Sequence, residues 1–119
     1  MASEDLQDQD LSLPVEPLFK GILSIAIMNL ISRKPMHGGE ISQVLKEKFE
    51  IGTPRAIIYV VLRKLEGDGL LVSNWDILES GPARRIYHIT EEGLQYLKYA
   101  RDRLKRSNEI IEILLDEKF

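Results

Sequence analysis

The sequence predicts one domain of the α+β class, mainly helical and with a single small β-hairpin. Its 119 residues match the size of one domain, and 44% of them are apolar, which is enough for one hydrophobic core. Four segments place apolar residues at helical spacing, and two short segments before the last of them alternate as strands do. The predicted order is therefore helix, helix, helix, strand, strand, helix.

The first predicted helix covers residues 18–31 and is apolar on almost every face. Such a helix is buried in the centre of a domain or shared between two subunits, and Pro35 ends it. Residues 37–39, His-Gly-Gly, are predicted to form a turn. A second, short helix then runs from about Glu40 to Phe49, and its apolar face consists of Ile41, Val44, Leu45 and Phe49.

The third predicted helix has Thr53 as its N-cap and Pro54 in its first helical position, and it runs to about Glu66. Residues 67–69, Gly-Asp-Gly, end it. Because its apolar residues recur every three or four positions, one stripe of the helix faces the core. That stripe consists of Ile58, Val61, Leu62 and Leu65.

Residues 70–78 and 84–90 are predicted strands, and the loop 79–83 joins them as a hairpin. Thr90 then caps the last helix, which extends towards Asp116. Two helices joined by a short turn and followed by a hairpin form a winged helix-turn-helix. The predicted organisation is a flexible acidic arm at residues 1–16, a winged-helix domain at 17–90 and a long C-terminal dimerisation helix at 91–119.

Composition excludes several classes of protein. The chain has no cysteine, which excludes a disulfide framework and any thiolate metal site. Its two histidines, His37 and His88, lack ligand spacing, so neither a metal nor another cofactor is expected. It has no nucleophile motif, phosphate loop or paired carboxylates, so we do not expect an enzyme. The longest apolar run, residues 21–32, is shorter than the ~20 residues of a membrane span, and the acidic N-terminus is not a secretory signal, so a cytoplasmic location is expected.

The net charge of −3 conceals an asymmetry along the chain. Residues 1–16 carry five acids and no base, and the remainder carries 16 bases and 14 acids, a net charge of +2. For binding to DNA the local field matters more than the total charge. The negative total therefore does not exclude a nucleic-acid partner.

The third helix is the candidate recognition helix. With its apolar stripe turned inward, Arg55, Tyr59 and Arg63 project outward, and a major groove accepts one such helix. The hairpin adds two arginines beside a narrow loop, where one is expected to contact DNA and the other to be structural, bonded to Asp76 or Glu79. The predicted DNA-binding residues are Thr53, Pro54, Arg55, Tyr59, Arg63, Ser80, Gly81, Arg84 and Arg85. The alternative is a solvated charged surface.

The last helix predicts a homodimer. Apolar and small residues recur at alternating spacings of three and four, which is typical of a helix–helix seam. The seam consists of Leu97, Ala100, Leu104, Ser107, Ile111 and Leu114. The alternative is that this stripe packs on the first helix of the same chain.

A small aromatic effector is a further predicted partner. A flat aromatic compound would suit an apolar, aromatic lining between the first and last helices. The candidate lining is Phe19, Leu23, Tyr96 and Tyr99, with Trp75 nearby. The alternative is that these side chains fill the core and the dimer interface; a lone tryptophan is more often core than ligand platform.

Four segments, residues 21–30, 37–41, 58–70 and 80–93, together resemble the phenolic acid decarboxylase regulator (PadR) family. The last segment is the most specific, because its Arg, Tyr, Thr and Gly residues have the family's spacing. The resemblance implies a winged-helix dimer held by the C-terminal helix, usually a repressor, and many relatives release DNA when a small aromatic or drug-like molecule binds. The chain departs from the family pattern on or near the predicted DNA face at Gly39, Ala56, Ile57 and Val60.

The predicted function is therefore a sequence-specific, DNA-binding transcriptional regulator that acts as a homodimer. Its recognition helix would enter the major groove, and its hairpin would lie on the backbone or in the minor groove. The alternative function is a winged-helix adaptor dimer that binds protein, which the acidic arm and the departures from the family pattern favour.

Overall fold

The computed structural model describes residues 19–77 and 81–116. The acidic arm predicted at residues 1–16 and the candidate Ser80 lie outside these residues. Helix α1 covers residues 19–33. The elements that follow are β1 (Met36–His37), α2 (Gly38–Phe49), α3 (Arg55–Gly67), β2 (Leu71–Asp76), β3 (Arg84–Ile89) and α4 (Glu91–Asp116). The predicted mainly helical winged-helix fold is confirmed.

Helix α1 lies at the centre of the core, as its apolar sequence predicts. Leu23, Ile27 and Met28 are fully buried, and they pack with the inward faces of α2 and α3. Those faces consist of Ile41 and Leu45 on α2 and of Ile58, Val61, Leu62 and Leu65 on α3. Because the apolar stripe of α3 is buried in this core, the opposite face of the helix is exposed to solvent.

The sheet has three antiparallel strands in the order β1–β3–β2. The hairpin of β2 and β3 is confirmed, with Leu71 opposite Ile89 and Asp76 opposite Arg84. Strand β1 was not predicted, because two residues are too short to show an alternating pattern. It pairs His37 with Ile86, and so it attaches the beginning of α2 to the hairpin.

The turn predicted at residues 37–39 is wrong, because α2 already begins at Gly38. His37 is the N-cap residue: its Nδ1 accepts the backbone N–H groups of Gly39, at 3.1 Å, and of Glu40, at 3.3 Å. The Glu40 carboxylate in turn accepts the backbone N–H of His37, at 3.4 Å. This is a capping box in which histidine takes the place of Ser or Thr.

The start of α3 also differs from the prediction. Pro54, not Thr53, is the N-cap residue, and no side chain caps the helix. Pro54 has an extended ψ of 143°, which places it outside the helix, while its carbonyl accepts the N–H groups of Ile57 and Ile58. The predicted end is confirmed, since the helix ends at Gly67 and Gly69 adopts a φ of +79°.

Helix α4 is fixed to the body at its first turn. The Thr90 hydroxyl accepts the N–H of Gly93, at 2.9 Å, as predicted for a cap, and donates to the carbonyl of Gly69, at 2.7 Å. Gly93 lies against the Leu70 carbonyl, where a Cβ would have no room. Beyond Ala100 the helix leaves the body, and residues 101–116 are all exposed.

Across residues 19–77 and 81–116, none of the helices combines the length and the apolar character that a membrane crossing would require.

Candidate nucleic-acid interface

The outward face of α3, the beginning of α2 and the hairpin enclose a groove of about 640 Å³, here called the basic groove. It is lined by His37, Gly38, Gly39, Arg55, Tyr59, Arg63, Trp75, Pro82, Ala83, Arg84, Arg85 and Tyr87. Four of these residues are arginines, and none of them carries a carboxylate. The groove is therefore a concentration of positive charge on a chain whose total charge is negative.

The structure brings together most of the predicted DNA-binding side chains. Arg55, Tyr59 and Arg63 from α3 share the basic groove with the two hairpin arginines, Arg84 and Arg85. Gly81 is exposed near the groove and has a φ of +114°. Thr53 and Pro54 are separate from this group, because they line another cavity of about 390 Å³ beside α1.

Arg85 is the structural member of the arginine pair. Its Nε donates to the Ser73 hydroxyl, at 2.7 Å, and its Nη2 lies 3.7 Å from a carboxylate oxygen of Glu66. Its guanidinium also stacks over the Trp75 ring, 5.4 Å from the ring centroid. The acidic partner is thus Glu66 on α3 and not Asp76, while the other predicted partner, Glu79, lies outside the described residues.

Glu66 joins α3 to the hairpin through a second pair of bonds. One of its carboxylate oxygens accepts both the backbone N–H of Ser73, at 3.1 Å, and the Ser73 hydroxyl, at 2.7 Å. This network was not predicted from the sequence. Only the strand register, which places Ser73 and Arg85 on adjacent strands, could have indicated it.

Arg84 lies at the edge of the basic groove next to His37. Its Nη1 is 3.2 Å from Nε2 of the histidine ring. The expected division of the arginine pair therefore has a structural counterpart, with Arg85 in the Glu66 network and Arg84 outside it. His37 was missed as a groove residue because residues 37–39 were assigned to a turn.

Two glycines make room for the side chains of α3. At Gly38 a Cβ would overlap the ring of Tyr59, so this glycine lets the tyrosine lie across the beginning of α2. At Gly39 a Cβ would lie 3.1 Å from Cε1 of His37 and 3.5 Å from Nη2 of Arg55. The glycine at position 39 therefore leaves space that the Arg55 guanidinium and the His37 ring border.

Tyr87 lines the groove from β3 and is 3% exposed. Burial raises the pKa of Tyr87, and Glu66 acts in the same direction, while Arg85 and Arg63 act in the opposite direction. Because the pKa lies above the usual value of 10.0, the hydroxyl stays protonated at neutral pH. It contributes no negative charge to the basic groove.

The candidate effector residues do not line one common pocket. Phe19 and the fully buried Leu23 line the cavity beside Thr53, whereas Tyr96 and Tyr99 line a separate cavity of about 340 Å³ between α1 and α4. Trp75 is near neither of them; the strand register places it opposite Arg85, in the basic groove. With 59% of its surface exposed, it is not a core residue either.

The predicted seam of α4 divides into two parts. Leu97 and Ala100 are buried within the protomer itself, as the alternative of intramolecular packing requires. Leu104 and Ile111 are each 38% exposed and Leu114 is 57% exposed, while Ser107 is exposed between them. The exposed part of the predicted seam therefore begins at Leu104.

Residues 27–99, more than half of the chain, match the model of the transcriptional regulator PadR-like family. The chain belongs to this family. It is similar to a PadR family transcriptional regulator from Eggerthella lenta, with 29% identity and a TM-score of 0.75 over 91% of this chain and 94% of the other. It is equally similar in sequence, at 29% identity, to a PadR-like transcription factor from Bacteroides fragilis, with a TM-score of 0.73 over 83% and 95% of the two chains.

A third PadR structure contains DNA. Bacillus subtilis PadR in complex with operator DNA is 25% identical to this chain, with a TM-score of 0.60 over 65% of this chain and 45% of the other. In a comparison with curated protein sequences, none matches this chain. This PadR-like protein is thus a transcriptional regulator by family.

Proposed function

We propose that this PadR-like regulator binds double-stranded DNA in a sequence-specific manner, acts as a homodimer and represses transcription. The observation that carries the proposal is the basic groove, whose described lining holds four arginines and no carboxylate between α3 and the hairpin. Phosphates supply most of the attraction in such interfaces, so a groove lined by arginines favours binding. The structure of Bacillus subtilis PadR in complex with operator DNA supports DNA as the partner.

In this proposal α3 enters the major groove and the hairpin lies on the backbone or in the minor groove. Arg55 stands at the first position of α3, and the start of a recognition helix is the part that reaches base edges. Arg55 is therefore proposed to read a base. Tyr59, Arg63, Arg84 and Gly81 are proposed to hold the backbone, while Arg85 mainly holds the hairpin.

Dimerisation is proposed to use the part of α4 that leaves the body. Leu104, Ile111 and Leu114 stay exposed there in the single protomer, and burying them against a second copy would remove apolar surface from water. Two half-sites on DNA require recognition helices roughly 34–36 Å apart. The long helix would set that separation, because each winged unit is fixed to it by Thr90 and Gly93.

A planar aromatic effector is proposed to bind between α1 and α4. Tyr96 and Tyr99 line the cavity there with Ile22 and Ile25, which provides an apolar wall with two aromatic rings. A ligand changes DNA affinity only if it binds two states of the dimer unequally. Titration of planar aromatics, with Tyr fluorescence and operator affinity followed together, tests this part of the proposal.

The test of DNA binding begins with an operator selected from random duplex DNA and with affinity measured at several salt concentrations. Arg55→Ala should cost about 1–3 kcal/mol on that operator and relax the preference at one base pair. Arg84→Ala should weaken all sequences alike and flatten the salt slope by about one. Lys98→Ala on α4 removes the same charge away from the groove and is the matched control.

Absence of any duplex binding at modest salt would overturn the proposal and favour the adaptor function. Equal affinities for the parent protein and for the Arg55→Ala and Arg84→Ala variants would show that another surface binds DNA. Repression has its own readout: a reporter joined to a bound promoter should become more active when the regulator is deleted.

A further inference from the structure

The cap of α2 fixes the ring of His37 in one tautomer. Its Nδ1 accepts two backbone N–H groups, those of Gly39 and Glu40. A neutral imidazole carries one proton, so a ring that accepts at Nδ1 carries that proton on Nε2. The opposite tautomer would abolish both cap bonds. Nε2 of His37 is therefore a hydrogen-bond donor that takes no part in the cap bonds.

Arg84 places a second hydrogen-bond donor beside Nε2 of His37. Its Nη1 lies 3.2 Å from Nε2 of His37, and a guanidinium has no acceptor atom. Glu40 does not supply a good acceptor for Nε2. Its Oε1 lies 3.5 Å from Nε2, which is long for a hydrogen bond, and its Oε2 lies 3.7 Å from Lys34 Nζ. Two N–H donors, one of them charged, thus lie 3.2 Å apart in the basic groove.

We infer that His37 and Arg84 together bind one phosphate oxygen of the DNA backbone. A phosphate oxygen accepts several hydrogen bonds, and its charge complements that of the guanidinium. The inference rests on the proposed function and adds a residue of β1 to the interface. It does not use the free N–H groups at the beginning of α2, since the ring of His37 already occupies those of Gly39 and Glu40.

This contact holds the hairpin and the beginning of α2 on the same phosphate. His37 and Arg84 come from β1 and β3, which are paired strands, so their separation is set by the sheet and not by a loop. A phosphate contact carries no base information. The pair therefore contributes to the affinity for every sequence and fixes the register of the hairpin on the backbone.

The decisive variant is His37→Asn. Asparagine is a strong N-cap residue, so it preserves the cap of α2 while it removes the distant Nε2–H donor. We expect an unchanged thermal midpoint, about tenfold weaker binding to the selected operator and an equal loss on unrelated duplex DNA. The salt slope should stay close to that of the parent, since a neutral donor is lost, whereas Arg84→Ala should flatten it by about one.

His88→Asn is the matched control, because His88 bonds Asn74 on the hairpin and does not line the basic groove. In an Arg84→Ala background, His37→Asn should cost less than about twofold, because the shared phosphate is no longer held. Parent-like binding of His37→Asn while the parent binds DNA overturns the shared phosphate contact alone. A parent that binds no DNA overturns both the contact and the proposed function. If His37→Asn does not fold, the affinity of Arg84→Ala for unrelated duplex DNA is the test. An affinity equal to that of the parent overturns the inference.

Discussion

At both Gly38 and Gly93 a methyl group would collide with a neighbouring group. The neighbour of Gly38 can move aside, whereas that of Gly93 cannot. Gly38 faces the ring of Tyr59, which is the far end of a partly exposed side chain. Gly93 faces the backbone carbonyl of Leu70, which pairs with Thr90 and cannot move independently. The first glycine therefore serves the interface, and the second serves the fold.

We predict that Gly38→Ala weakens DNA binding and changes the free energy of unfolding by less than about 1 kcal/mol, because the Tyr59 ring can swing into solvent. Gly93→Ala should instead lower the free energy of unfolding by about 1–3 kcal/mol, as overpacking against fixed backbone does. Urea unfolding and operator affinity, measured on both variants, separate the two effects. A large loss of stability in Gly38→Ala would contradict this reading of the site.

Individual residues also show what the sequence could and could not predict. The outward direction of Arg55, Tyr59 and Arg63 follows from helical period, and the structure bears it out. His37 was not predicted as an N-cap residue because histidine is not among the usual ones, although Glu40 three residues later completes the pattern of a capping box. Trp75 was predicted beside the effector lining, with a place in the core as the alternative, whereas the structure places it in the basic groove.

At the scale of elements, the hairpin is held to the recognition helix by one short polar network. Glu66 near the end of α3 accepts from Ser73 on β2, and Ser73 accepts from Arg85 on β3. The three side chains come from three elements, so their meeting depends on tertiary packing. No local pattern in the sequence predicts it, while the elements themselves follow from apolar period and turn residues.

We predict that Ser73→Ala loosens the hairpin relative to α3. The loss of two side-chain hydrogen bonds should cost about 1–2 kcal/mol of stability, and the freed Arg85 should leave the face of Trp75. Trp75 fluorescence should change, and operator affinity should fall. The control is Asn74→Ala. Asn74 lies next to Ser73 on β2, and the substitution removes its hydrogen bond to His88 on β3. Equal effects of both substitutions would show that the Glu66 network has no special role.

At the scale of the whole molecule, α4 is one continuous helix whose two parts have different surroundings. Its first part, with Leu97 and Ala100, belongs to the core of the protomer, and its second part lies outside it. The heptad pattern runs through both parts without a break, so the sequence could not tell which positions are already covered. Only the packing of the body against α4 makes that distinction.

We predict that Leu104→Glu together with Ile111→Glu yields a folded monomer. Both positions are partly exposed in the single protomer, so the new carboxylates can reach solvent there, but unpaired charges in a dimer seam would cost several kcal/mol. Sedimentation gives the mass, and circular dichroism checks that the winged unit stays folded. Ile113→Glu, at an exposed apolar position outside the predicted seam, should leave the dimer intact. A stable dimer of the double variant would place the interface elsewhere.

The exposed end of α4 also has a consequence for hydrogen exchange at the backbone. Residues 101–116 form about 24 Å of helix in which every residue is exposed, and an isolated helix of that length is marginal in water. In a free protomer these amides should exchange quickly, and in a dimer they should be protected. Their exchange rates should therefore fall as protein concentration rises, while those of α2 stay constant, and the midpoint of that change would report the dissociation constant without any label.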